Sequence, residues 1–104
     1  MKIILSTSFK RAAKKLHKNQ IKFLEKAIEE IRINPLIGEL KTGNLADIRV
    51  YKFRILHQLI LLAYLFDEQT KEITLLAFAP HETFYDNLKL QIHEEAALYI
   101  ASNS

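Results

Sequence analysis

Lys52, Arg54, His81 and Tyr85 have the side-chain types and spacing for work on a phosphodiester. Lys52 and Arg54 alternate along "IRVYKFRI", so an extended chain turns both to one face. His81 follows Pro80 where the oily run "ITLLAFAP" ends, and Tyr85 comes four residues later, one helical turn on. A histidine exchanges protons near neutral pH, and a tyrosine orients a phosphate or shares that work. Cutting RNA through its own 2′-hydroxyl needs no metal. It needs a base near that hydroxyl, an acid near the leaving oxygen and cations around the pentacovalent phosphate. The four residues fit those roles. They also fit a plainer reading, in which Lys52 and Arg54 protect an edge strand, His81 caps a strand end and Tyr85 packs on the sheet.

Further residues extend the theme: Arg49 on the same strand and His57 just past its end. Arg49 belongs to the same strand but to its other face, with Tyr51 and Phe53, so these aromatics do not stack beside Lys52 and Arg54. From Met1 to Lys22 there are seven lysines and arginines and no acid, Lys10, Arg11, Lys14 and Lys15 among them. From Glu82 to Ser104 there are four acids and one lysine. Such asymmetry points to a polyanion partner for the basic third, nucleic acid in particular, or to a solvated helix face.

Other chemistries are excluded. The chain has no cysteine, which removes disulfides, thiolate zinc sites and a cysteine nucleophile together. His17 and His93 lack a metal-ligand pattern, so no metal is expected. Gly38 and Gly43 alone cannot form a nucleotide-binding fingerprint, so no cofactor is expected. The apolar part of "MKIILSTSF" is too short for a signal-peptide core. The longest apolar run, "LILLAYLF", is far below the roughly 20 residues that cross a bilayer. A soluble, cytoplasmic protein without a membrane partner is the expectation.

The elements that must position these residues are legible as patterns. The 104 residues make one domain, 1–104. "KIILS" reads as a strand, and Ser6, Thr7 and Ser8 offer N-cap oxygens. Phe9, Ala12, Ala13 and Leu16 recur at helical spacing, with the lysines turned to water. Asn19 reads as a break and a new N-cap. Ile21, Leu24, Ala27, Ile28 and Ile31 mark a second helix, ended before Pro35. "ELKTGNLADI" reads as a polar loop. "IRVYKFRI" alternates, "HQLILLAYLF" is oily on both faces like a central strand, and "DEQTKE" is a hairpin turn before "ITLLAFA". In that last strand Ile73, Leu75, Ala77 and Ala79 are expected on one face, Leu76 and Phe78 on the other. A C-terminal helix is expected from about 83 to 101, with a stripe through Phe84, Leu88 and Ile92. The fold class is α+β. A helical hairpin packs on a small twisted, mainly antiparallel sheet, in the order β-α-α-β-β-β-α, with one sheet face partly open.

The stretches "LKTGNLADIRVYKF", "LLAYLFDEQ" and "ITLLAFAPHETFYDNLK" resemble toxins of bacterial type II toxin–antitoxin pairs, the RelE/ParE superfamily, ParE-like toxins in particular. The likeness covers Phe9 to about Lys89. It implies a growth-inhibiting protein held inert in a hetero-oligomer with its cognate antitoxin. Members similar to RelE enter the ribosomal A site and cleave mRNA, as metal-independent endoribonucleases. Members similar to ParE poison DNA gyrase by protein–protein contact. In the RNA-cleaving group, basic strand residues and a late histidine or arginine followed by an aromatic do the work, positions that Lys52, Arg54, His81 and Tyr85 resemble. The resemblance leaves one departure. Many RNA-cleaving relatives carry an arginine shortly before the tyrosine of the central strand, where this chain has Leu61 and Leu62 before Tyr64. Ribosome-dependent mRNA cleavage is the leading expectation, and that absence keeps gyrase inhibition or a catalytically weak nucleic-acid-binding relative as alternatives.

Overall fold

The computed structural model describes residues 1–41 and 47–84. Seven elements follow one another: β1 (Lys2–Leu5), α1 (Thr7–Lys14), α2 (Lys18–Ile33), β2 (Glu39–Leu40), β3 (Ile48–Ile55), β4 (Gln58–Asp67) and β5 (Glu72–Pro80). A helical turn begins at His81 and is described to Phe84. The rest of the expected C-terminal helix, with Tyr85, lies outside the described residues.

Helix α1 starts where Ser6 stands extended and its Oγ accepts the Phe9 N–H at 3.1 Å, satisfying an otherwise orphaned donor. The same hydroxyl donates to the Leu76 carbonyl at 2.8 Å, tying the helix to β5. The second N-cap is His17 rather than the expected Asn19. The Gln20 side chain reaches back to accept the His17 N–H at 2.9 Å, so the break falls two residues earlier. Helix α2 buries Leu24, Ala27 and Ile31, three members of the expected stripe.

The sheet runs β1-β5-β4-β3-β2, with β1 parallel to β5 and the other pairs antiparallel. Within the expected polar loop, Glu39 and Leu40 pair with Val50 and Arg49. That two-residue strand is too short to leave a periodic signal. Strand β4 is central, and Leu61, Leu62, Ala63 and Tyr64 are completely buried in succession. Such a run needs cover on both faces. On one face, Leu62 and Tyr64 pack with Phe9, Leu24, Ile31, Ile73 and Leu75 beneath the helices. On the other, Leu61 and Ala63 pack with Ile48, Val50, Leu76 and Phe84.

A bulge corrects the expected alternation of β5. Ala63 pairs with Ala77 and Tyr64 with Leu75, so Leu76 is an extra residue opposite the Ala63–Tyr64 step. Past it the faces exchange. Ile73, Leu75 and Phe78 meet the helices, whereas Leu76, Ala77 and Ala79 take the other side. The Phe78 ring thereby meets Phe9 edge-on, centroids 5.0 Å apart.

Candidate functional site

Strand alternation decides which cations share a face. Tyr51 and Phe53 belong to the core beneath the helices, and Ile48 and Val50 to the opposite one. Lys52 and Arg54 continue the second series, so they project from the face away from the helices, and both are exposed. Register then carries the row across the sheet. Arg54 pairs with Leu59 on β4, and Pro80 of β5 pairs with Ile60. His81, one residue on, reaches the row of Arg54 and Leu59. Two strand spacings put Arg54 and His81 backbones on the order of 10 Å apart.

An open cleft of about 420 Å³ lies there, lined by Arg54, His57, Leu59, Pro80, His81 and Glu82 among others. His81 and Arg54 thus line one cleft. His57 joins them from the β3–β4 turn. That turn is tight: Ile55 pairs with Gln58 across Leu56 and His57, and Leu56 takes a positive φ of 56°. Arg54 Nη1 donates to the His57 carbonyl at 3.0 Å, which fixes the guanidinium against the turn. In the sequence His57 stands just past the basic strand, and the turn folds it back beside Arg54. Lys52 lies on the same face, two residues earlier on β3, outside the cleft lining. The remaining member of the expected site, Tyr85, lies outside the described residues.

The other expected contacts fall elsewhere. Arg49 faces the helices and donates from Nη1 to the carbonyls of Gly38 at 2.9 Å and Leu36 at 3.4 Å. Lys10, Arg11 and Lys14 on α1, and Lys15 at its C-cap, are exposed in the helical layer across the sheet from Lys52 and Arg54. Neither set meets the cleft. Leu61, one of the two apolar residues in the departure, pairs with Lys52 and is fully buried on the cation face, whereas Leu62 points to the helices. Among the described residues no group of three or more histidines or carboxylates gathers to hold a metal. None of their helices is long and apolar enough to cross a membrane.

The family model for the ParE-like toxin of type II bacterial toxin–antitoxin systems matches residues 3–89. The chain belongs to that family. The toxin's fold is also similar to solved structures. The intact E. coli RelBE toxin–antitoxin complex matches with a TM-score of 0.63 at 17% identity, over 75% of this chain and 93% of that one. The RelBE2 toxin–antitoxin complex of Mycobacterium tuberculosis matches with 0.65 at 18%, over 77% and 96%. A mutant of the E. coli toxin RelE in the free state matches with 0.63 at 16%, over 85% and 94%. Among curated proteins none matches the sequence. At these identities the structural likeness speaks for the α+β fold, and the family match makes the chain a toxin of the RelE/ParE superfamily.

Proposed function

We propose that this toxin cleaves ribosome-bound mRNA by metal-independent attack of a 2′-hydroxyl on the adjoining phosphate. The observation that supports this reading is the open cleft lined by Arg54, His57 and His81. The 2′-oxygen–phosphorus bond forms as the bond from phosphorus to the 5′-oxygen breaks, leaving a cyclic phosphate. One imidazole accepts the 2′-hydroxyl proton and the other supplies a proton to the departing 5′-oxygen; His81 and His57 divide that work. Arg54 faces the charge gathering on the phosphate, and Lys52 holds the strand's next phosphate from the same sheet face. Tyr85 orients the scissile group. The basic face of α1 adds salt-sensitive attraction to ribosomal RNA, while Arg49 is held on the Gly38 and Leu36 carbonyls.

The toxin works in the bacterial cytoplasm, where a cognate antitoxin holds it inert. The E. coli and M. tuberculosis relatives were solved as toxin–antitoxin complexes. An acidic antitoxin segment suits Lys10, Arg11, Lys14 and Lys15.

A second reading, inhibition of DNA gyrase by surface contact, is favoured by Leu61. It is buried beside Lys52, on the face where a cation would serve a phosphate. The test runs both assays on one preparation. Cleavage of mRNA on purified ribosomes, mapped by primer extension, is expected for the wild type. His81→Ala, exposed and outside the core, is expected to lower the rate about 10²- to 10⁴-fold. Undiminished cleavage by His81→Ala removes the imidazole from the mechanism. Blocked gyrase supercoiling without mRNA cleavage replaces the nuclease by the second reading.

A further inference from the structure

A second cleft opens on the helical side of the sheet, about 140 Å³, lined by Phe23, Lys26, Ala27, Glu30, Phe53 and Arg54. Arg54 lines both this cleft and the one that holds His81. The arginine can do so because β2 pairs only with Arg49 and Val50. Past that point β3 has no strand on its outer side among the described residues, and the two clefts meet around an open sheet edge.

The walls suit a flat, partly polar ring. Phe53 is stacked with Tyr51 at 6.2 Å and an interplanar angle of 14°. Lys22 Nζ sits 5.5 Å over the Phe23 ring, holding it from one side while it lines the cleft. The Tyr51 hydroxyl donates to Glu30 Oε2, which fixes the carboxylate at the cleft wall. Lys26 and Arg54 add two exposed cations at its margin. The volume is well below the roughly 300–1,000 Å³ of sites for drug-sized ligands, so it has room for one ring system and not for a whole nucleotide. Aromatic faces with flanking cations are how unpaired bases and their backbone are held without sequence reading.

We infer that the cleft between Phe23 and Phe53 is a nucleobase subsite of the toxin. It takes one unpaired base of the RNA strand whose neighbouring phosphate passes Arg54 into the His81 cleft. The inference rests on the RNA-cleaving reading and adds to it a second anchoring point, around the β3 edge. Lys26 takes the base's own phosphate. Glu30, an acceptor only, favours a base with an exocyclic amino group.

Full-length toxin is titrated with a single-stranded RNA trinucleotide carrying one 2-aminopurine, whose emission falls when the base stacks. Ribosomal mRNA cleavage is measured on the same preparations. Wild type is expected to quench. Phe23→Ala is expected to lose the quench and weaken binding between about 5-fold and about 150-fold. Phe23→Tyr, which keeps the aromatic face, restores both. Lys26→Ala weakens binding and lowers the slope of log affinity against log salt by about one. Should Phe23→Ala fail to fold, Lys26→Ala and Glu30→Gln carry the test, since both alter groups at the cleft wall outside the core. Wild-type quenching by Phe23→Ala, or cleavage by a wild type that does not bind the trinucleotide, overturns the subsite and leaves the nuclease standing. A wild type that neither binds nor cleaves overturns both.

Discussion

The two ends of β3 put arginine to opposite uses. At its start, Arg49 faces inward, and Tyr64 beside it on β4 closes a polar knot. The Tyr64 hydroxyl donates to the Pro35 carbonyl at 2.6 Å and accepts the Gly38 N–H at 2.9 Å. Arg49 donates to the Gly38 and Leu36 carbonyls from the other side. Burial pushes the Tyr64 phenol above its ordinary pKa, against the Gly38 N–H and the Arg49 charge, so it stays a neutral donor. At the far end Arg54 donates to its own turn, with His57 and His81 around an open cleft. The first cluster turns its polar groups on the protein and fixes the passage from α2 into β2. The second leaves its charge and its imidazoles to the outside. Exposed polar groups gathered on a rigid strand end cost little stability and are free to bind.

The largest effect should come from exchanging the two arginines' fates. On the RNA-cleaving proposal, Arg54→Ala removes the cation assigned to the phosphate and should lower ribosomal cleavage by about 10²- to 10³-fold. Its melting temperature should hardly move, as for most exposed substitutions. Arg49→Ala breaks charged hydrogen bonds to two carbonyls and should cost about 1–3 kcal/mol of stability, with cleavage per folded molecule retained. Denaturant titration beside the cleavage assay reads both. Lost activity with unchanged stability in Arg49→Ala would show that the inward arginine also serves the substrate.

Next in size is a change at the knot's tightest approach. A Cβ at Gly38 would stand 2.8 Å from Tyr64 ring and hydroxyl atoms, closer than side chains tolerate. Tyr64 is wholly buried in β4 and cannot swing aside. Gly38→Ala should therefore cost about 1–3 kcal/mol, with the cleft at the other end unaltered. Equal stability of this variant in urea titration would mean that the α2–β2 passage yields, and that the two ends differ less in rigidity than their hydrogen bonding implies.

How much of this was legible depended on whether a residue belonged to a periodic element. The alternation of β3 separated Arg49, Tyr51 and Phe53 from Lys52 and Arg54, and the two-sided oiliness of β4 marked its central place. The turn before β5 was plain as well: Asp67 Oδ1 accepts from the Gln69 and Thr70 N–H groups. Pairing of β1 with β5 joins segments some seventy residues apart and leaves no local trace. The bulge at Leu76 shifts faces without changing composition. Phe23 was missed because it flanks the α2 stripe, where no period singles it out; His57 was in view just past the basic strand, but a turn residue has no period to say where it points. His81 was visible because a titratable ring directly after an oily strand breaks the pattern.

The smallest effect sharpens the contrast on the helical face itself, where Tyr51 links β3 to Glu30 of α2. Burial, and then the hydrogen bond to Glu30 with its negative charge, push the Tyr51 phenol up to about 12. In the unfolded chain a tyrosine titrates near 10. The folded pKa is the higher one, so the contribution to stability is fully present below about pH 10 and is lost as pH rises through about 12. The site is partly open to solvent, which screens the charge, so the contribution is on the order of 1 kcal/mol. Tyr51→Phe should abolish that component. Urea titrations of both proteins from pH 8 to pH 12 should show the wild type losing its advantage over the variant only in the upper half of the range. A constant difference across the range would mean that Tyr51 holds α2 by packing on Phe53 alone. Glu30 would then owe its position at the cleft wall to the helix and not to the phenol.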